Sequence, residues 1–424
     1  MEGNLYAQPR PSGGGRLKTM MVEKSKNRGK LKLPIYLDYQ STTPVDPRVL
    51  ERMLPFFTEK FGNPHSKTHA FGWEAEAAVG LAREQMAAAI GASPKEIVFT
   101  SGATESNNLA IKGVLRFYKK RKNHLVTCVT EHKCVVESAR DLMREGVDVS
   151  FLPVGGEGQI SLDRLRDAIT EKTALVSIMT VNNEIGVIQP IAAIAAICRE
   201  KNVLFHTDAA QAIGKIPFDV GEAGADLASV SGHKLYGPKG VGALYVRRQP
   251  RVKLEPLFSG GGQEGGLRCG TLSTPLCVGL GAAVAVAVAE REAEAARLLD
   301  LRTRLLEGLR GALDGVTVNG SLAARIPGNL NLSFEGVDSE TLMMELRDLA
   351  LSTGSACSSA ERESSYVLKA LGVDAALARA SIRIGIGRFT TEAEIAHAIG
   401  AFVEKVAKLR RQGVPKAEAS LTAC

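Results

Sequence analysis

Aromatic residues are scarce in this chain, at 5 % of 424 positions, with a single tryptophan. The core must therefore be built from Ala, Val, Leu and Ile, and the 43 glycines point to many tight turns. No disulfide framework is legible: the seven cysteines, at 128, 134, 198, 269, 277, 357 and 424, are odd in number and show no regular spacing. That pattern suits a reducing compartment. No run is long enough to span a bilayer. The longest apolar stretch, 277–289, has 13 residues and reads as a buried helix. The amino end has no apolar centre and so no secretory signal. No Walker loop is present, and Cys128, His132 and Cys134 lack the fourth ligand of a structural zinc site.

The charge is unevenly placed. The formal net charge is +7, and residues 1–33 hold eight Lys and Arg against two Glu. The body is close to neutral, so the excess describes a basic tail, not a nucleic-acid-binding surface. The tail, with Gly13-Gly14-Gly15 and no apolar period, reads as disordered. Two readings of it stay open: a mitochondrial transit segment, or an upstream start with Met20 or Met21 as the natural one.

From residue 96 apolar, β-branched runs alternate with amphipathic stretches. Strands are expected over 96–100, 124–129, 147–153, 174–181, 203–207, 227–230 and 241–246. Helices are expected over 104–121, 135–144, 162–170 and 191–201. Such alternation predicts an α/β fold with a mostly parallel sheet covered on both faces. A smaller α+β domain follows: a long helix over 290–310, strands near 316–319, 329–334 and 381–386, and a helix capped by Asp338 or Ser339. In that helix Leu342, Leu346 and Leu349 form one apolar face. A last helix runs to about 409. The expected division is a tail at 1–33, a large domain at 34–290, a small domain at 291–410 and a terminal tail at 411–424.

Four segments hold residue types suited to chemistry. Ser231-Gly-His-Lys234-Leu-Tyr-Gly-Pro-Lys239-Gly-Val-Gly242 places a lysine in a tight turn between apolar runs. A desolvated lysine loses its proton more readily and can form a Schiff base. Thr100-Ser-Gly-Ala-Thr104-Glu-Ser follows a strand and opens a helix, whose free N–H groups suit a phosphate. His206-Thr-Asp208-Ala-Ala-Gln211 puts an acid at a strand's carboxyl end, where α/β sheets bind ligands. A helix cap is the alternative for Asp208. Gly354-Ser-Ala-Cys357 surrounds one thiol with small residues.

Together these segments resemble the IscS-like cysteine desulfurases, within the fold-type I pyridoxal-phosphate enzymes. The resemblance runs from about residue 35 to 408. It includes Phe61-Gly-Asn-Pro-His-Ser, Thr130-Glu-His132, Val181-Asn-Asn183-Glu-Ile-Gly, Gly260-Gly-Gly-Gln-Glu and Ser381-Ile-Arg383. It implies a large domain with a seven-stranded sheet and a small domain carrying the cysteine loop. It also implies removal of sulfur from L-cysteine as a persulfide on Cys357, leaving L-alanine. Pyridoxal phosphate is the implied cofactor, in Schiff-base linkage to Lys234 rather than Lys239. Asp208 is implied to pair with the ring nitrogen and Gln211 to donate to the ring hydroxyl oxygen. His132 is implied to stack over the ring and act in proton transfer. Ala103, Thr104, Ser231 and His233 form the implied phosphate cradle, with Thr271 contributed by the other subunit of a homodimer. Asn183 and Arg383 are implied to hold the substrate carboxylate.

No resident metal is implied, apart from transient cluster ligation by Cys357. The expected partners are an iron–sulfur scaffold protein and other sulfur acceptors, with tRNA thiolation among the uses of the sulfur. Neither a membrane nor direct nucleic-acid binding is expected. The implied location is the cytoplasm, or the mitochondrial matrix if the tail is a transit segment. Selenocysteine lyase or a small-amino-acid aminotransferase on the same fold is the alternative enzyme, and a non-catalytic adaptor the alternative class.

Three departures stand out. After Cys357 the chain reads Ser-Ser-Ala-Glu361-Arg-Glu-Ser-Ser-Tyr-Val, more charged than the family's usual Thr-Ser-Ala-Ser-Leu-Glu-Pro-Ser-Tyr-Val. Cys269 replaces a usual serine. The tryptophan-containing tail that helps relatives bind the scaffold is not recognisable.

Overall fold

The computed structural model describes residues 31–353 and 364–413. A short β1 (Ile35–Tyr36) precedes the large sheet, which is made of β2 (Ile97–Thr100), β3 (His124–Cys128), β4 (Asp148–Leu152), β5 (Thr173–Ser177), β6 (Leu204–Asp208), β7 (Leu227–Ser231) and β8 (Gly242–Val246). The strand order is β2-β8-β7-β6-β5-β3-β4. β8 is antiparallel to both its neighbours, and the other pairs are parallel. Five of the seven strands are buried at every position. This is why they read as continuous apolar runs: a parallel sheet covered on both faces has no solvent side. Because β2 and β7 both run against β8, β2, β3, β5, β6 and β7 all end at the same edge of the sheet.

The helices that matter for the site are α1 (Ala70–Ala89), α2 (Ala103–Tyr118), α3 (Lys133–Arg144), α4 (Thr274–Ala312) and α5 (Glu392–Gln412). The apolar run at 277–289 and the amphipathic helix expected at 290–310 are one continuous 39-residue helix, α4. The expected division at 290 falls inside it. Its first part packs Leu280, Ala283 and Val284 with Val79, Ala82 and Met86 of α1. Its later part packs Leu301, Leu305 and Leu309 with Ile395, Phe402 and Val406 of α5. One rod thus spans two cores.

The second core lies under β9 (Val316–Val318), β10 (Asn329–Phe334) and β12 (Ser381–Gly385), an antiparallel sheet in the order β12-β10-β9. β1 pairs in parallel with β11 (Leu349–Ala350), and Ile35 and Leu37 belong to this second core. The segment at 35–38 is therefore stitched to the second core, by β11 and by a bridge from Asp38 to Gly385 of β12. Asp338 caps the helix Ser339–Glu345 by accepting from Thr341 N at 2.9 Å. Leu342 lies in that helix, but it ends at Glu345 and Leu349 is in β11, which corrects the expected three-leucine face. All three leucines are nonetheless buried, because the strand returns to the core that the helix covers. Among the described residues no helix is long and apolar enough to cross a membrane.

Candidate active site

Lys234 closes the short turn Gly232–Lys234 that leaves β7. Two residues on, Tyr236 sits at φ +64°, a left-handed conformation that is unfavourable for a bulky side chain. It is held there from three sides. Its N–H donates to Thr43 Oγ1 at 2.8 Å, its hydroxyl accepts from Arg388 N at 2.5 Å, and the Arg388 guanidinium lies 4.2 Å over its ring. Strain tolerated beside a reactive lysine is the pattern expected of a site whose backbone is over-determined. Lys234 Nζ donates to Gln40 O at 2.6 Å, and Gln211 Nε2 donates to the same oxygen at 2.8 Å.

Asp208 ends β6 and is buried. Its Oδ1 accepts from Ala210 N at 2.9 Å, so the cap-like bond weighed for it does form. Its Oδ2 accepts from Asn107 Nδ2 at 2.7 Å. That bond closes a turn, since turns and not a helix follow Asp208 directly, and the carboxylate has further lone pairs.

His132 follows β3 and caps α3. Its Nδ1 accepts from Cys134 N at 3.2 Å and lies 3.0 Å from Cys134 Sγ. Accepting a backbone N–H places the ring proton on Nε2. Burial, and more weakly the charges of Lys234 and Lys133, push His132 below its ordinary value, while Asp208 opposes them. Cys134 is pushed up to about 12 by burial and is a thiol, not a thiolate.

α2 begins at Ala103 and Thr104 with no side-chain cap. Its N-cap, Gly102, has φ +148°, which a side chain would disfavour. The first N–H groups of this 16-residue helix lack a side-chain cap, and the strand end that leads into it, Thr100, lies across Gly242 from Ser231 at the end of β7. His233 Nδ1 lies 3.0 Å from Thr42 Oγ1, and burial followed by the charge of Lys234 lowers it to about 4.

This set fits pyridoxal phosphate. It offers an uncapped helix start for a phosphate, a buried carboxylate for a ring nitrogen, a lysine amine, a carboxamide and an imidazole that reads as neutral at pH 7. Asn107 Oδ1 and Gln40 Oε1 are buried without partners among the described residues, as expected of a pocket shaped for a polar group.

Arg383, on β12, comes from the second core. Its Nη2 donates to Asp38 Oδ1 at 2.8 Å and to Ser41 Oγ at 2.5 Å, and its Nη1 to the Asn183 carbonyl at 3.0 Å. Its buried Nε has no partner among the described residues. Asn183 therefore meets Arg383 through its backbone. Nearby lie two buried acids, Glu131 and Glu184. Burial raises Glu131 well above the carboxylate range and brings Glu184 up to about 7. Tyr366 donates from its hydroxyl to the Glu131 carbonyl at 2.6 Å, next to His132. Cys357 lies outside the described residues, but both flanks of its segment are tied here, Tyr366 on one side and Ser352, whose carbonyl accepts from Arg383 N at 2.7 Å, on the other. Thr271 is exposed in the loop before α4.

The sequence reading gave no role to Gln40, Asn107, Lys215 or Tyr236. Asn107 carried the clearest signal, an amide one helical turn beyond Ala103 on an otherwise apolar face.

The family model for aminotransferase class-V matches residues 35–397. A cysteine desulfurase IscS of Rickettsia bellii is 58 % identical over 89 % of this chain and 92 % of its own length. One from Rickettsia prowazekii is 57 % identical over 90 % and 93 %. Among solved structures, a NifS-like protein is 39 % identical with a TM-score of 0.83, over 89 % of this chain and all of its own. SspA, in complex with cysteine, is 40 % identical with a TM-score of 0.76, over 84 % and 100 %.

Proposed function

The chain belongs to the class-V aminotransferase family, among the IscS-type cysteine desulfurases, and from that premise we propose that Lys234, His132, Asp208, Arg383 and Cys357 divide between them the removal of sulfur from L-cysteine. It is a pyridoxal-phosphate enzyme of sulfur supply. The cofactor, when bound, supplies an electron-withdrawing ring that spreads the charge left at the substrate's Cα.

The residues supply the rest. Asp208, steadied by Asn107, holds a proton on the ring nitrogen. The uncapped start of α2 at Ala103 and Thr104, with Ser231 and His233, holds the phosphate, and Gln211 the ring hydroxyl. Arg383 binds the substrate carboxylate, for which its unpartnered Nε is available, with Asn183 alongside. Lys234 takes the proton from Cα. His132 presents Nε2–H and so acts as a donor over the ring. The Cys357 thiolate attacks the substrate sulfur. An S–S bond forms, the Cβ–S bond breaks, Cβ keeps the electron pair and takes a proton, and Lys234 returns the proton to Cα, giving L-alanine and a persulfide.

One observation supports this reading most. Lys234 and Arg383 come from different cores, yet they bond to adjacent residues, Gln40 and Ser41. That brings an amine and a guanidinium within the span of one amino acid.

The reading extends to a homodimer in which a second copy supplies Thr271, and to delivery of sulfur to an iron–sulfur scaffold and to tRNA thiolation, in a cytoplasmic or mitochondrial setting. The purified protein, given pyridoxal phosphate and L-cysteine, is expected to yield alanine and a persulfide that mass spectrometry maps to Cys357. Cys357→Ser should keep the coloured cofactor complex and make no alanine. Lys234→Ala should lose the absorbance of the lysine-linked cofactor. Normal turnover by the serine variant would refute the role of Cys357.

A further inference from the structure

Behind Lys234 lies a cavity of about 30 Å³, bordered by Gln40, Lys215, Tyr236, Arg291 and Glu294. Its volume suits a single water. A second lysine in such a space is unusual, and its bonding is specific. Lys215 Nζ donates to Gln211 Oε1 at 2.5 Å, Gln211 Nε2 donates to Gln40 O at 2.8 Å, and Lys234 Nζ donates to that same oxygen at 2.6 Å. Three bonds join the two lysines through one carboxamide and one carbonyl.

A carboxamide has a donor end and an acceptor end, whereas an ammonium only donates. Lys215 therefore fixes which way Gln211 points: the oxygen faces Lys215 and the NH₂ faces Gln40 and the site. We propose that Lys215 is a positioning residue that locks the Gln211 carboxamide with its donor end toward the cofactor and Lys234. This rests on the cofactor reading above and extends it to a residue that acts only through Gln211. With the amide reversed, an acceptor would meet both the Gln40 carbonyl and the ring oxygen.

The surroundings bear on the lock. Lys234 and Arg383 oppose a second cation, Glu294 favours one, and burial among these groups brings Lys215 down to about 7. Arg291, Tyr39 and Tyr236 border the same space, and His233 senses the charge. An amine, unlike an ammonium, can also accept, so the orientation loosens as pH rises through neutrality.

The test uses full-length protein loaded with pyridoxal phosphate, comparing wild type, K215M, K215R, Q211A and the double variant Q211A/K215M. The readouts are the dissociation constant of the cofactor and the pH midpoint of its visible band. K215M should bind the cofactor about tenfold more weakly, the scale of one hydrogen bond to a charged group, and move the midpoint. K215R, which still donates, should restore both. In the Q211A background K215M should add less than about twofold, because the two residues act as one unit. A wild-type constant and midpoint in K215M would overturn the inference, as would equal losses in K215R and K215M or a full K215M effect without Gln211. Wild-type protein that took up no cofactor would overturn the functional reading as well. Normal uptake with an unmoved K215M defeats this inference alone.

Discussion

A histidine that caps a helix through Nδ1 does two jobs, and they are separable. Asparagine is a good N-cap but has no ring. His132→Asn should therefore unfold at nearly the wild-type urea concentration and lose turnover. His132→Ala should lose turnover and also about 1 kcal/mol of stability. Equal stability in the two variants would show that the cap contributes nothing. Residue types were the most legible level of this protein. Lys234, Asp208 and His132 stand out in sequence as an amine in a glycine-rich turn and as an acid and an imidazole just past apolar strands, whereas Arg383 was singled out only through the family resemblance. Lys215 does not stand out: a lysine in a run of turns is usually solvated, and only the folded chain closes a wall behind it.

Elements aim those residues, and the contact between α2 and β8 is the tightest part of the aim. A Cβ on Gly242 would lie 2.3 Å from Val230 O and 2.6 Å from the Gly102 Cα. Both are backbone atoms, so neither can swing away. Gly242→Ala must push β8 from β7 and displace the start of α2, at a cost of about 1–3 kcal/mol. Its urea midpoint should fall, and pyridoxal phosphate should dissociate faster than from wild type. Normal retention would mean that the helix start does not hold the phosphate. Strands and helices of the large sheet were legible to within a few residues, because burial on both faces leaves an unbroken apolar signature. The helices Pro47–Met53 and Ala70–Ala89 went unforeseen. The latter is rich in alanine and glycine, with a weak apolar stripe, and it is helical because α4 lies along it.

At the scale of the whole molecule, a few buried charges fasten the two cores together. Asp46 accepts from Arg388 at 2.8 Å and from Arg48 at 2.7 Å, and Arg388 also donates to Glu294 of α4 at 2.8 Å. The Arg48 and Arg388 guanidiniums hold the Asp46 carboxyl well below the usual range, Arg48 most strongly. Asp46→Asn leaves Arg388 with Glu294 at 2.8 Å and Glu290 at 3.7 Å and should cost about 3 kcal/mol, measured by urea unfolding at pH 7. Two buried histidines contribute to the pH dependence with a definite sign, opposite to that of Glu131 and Glu184, whose raised carboxyls take up protons more readily folded than unfolded. Burial lowers His206 to about 3 and His233 to about 4, from 6.5. Below pH 6.5 the unfolded chain takes up protons that these folded groups refuse, so stability falls as pH falls toward those values. Asp46 acts in the same direction at lower pH: its contribution is complete above the unfolded carboxylate value of about 3.9 and is lost as pH falls toward its folded one. His206→Gln should therefore lose less stability than wild type between pH 6 and 4.5, and an equal loss in urea unfolding would contradict this.

What the sequence determined by itself was local: which runs are buried on both faces, where the chain turns, and which side chains have the chemistry of an amine, an acid, a base and a thiol. These depend on neighbours a few positions apart, and period and composition record them. Only the tertiary structure decided that β1 is stitched to β11 across more than 300 positions, that one helix serves two cores, and that Gln40 and Ser41 hold Lys234 and Arg383 side by side. Those outcomes follow from burial and hydrogen-bond satisfaction summed over the whole chain, and no local stretch holds that sum.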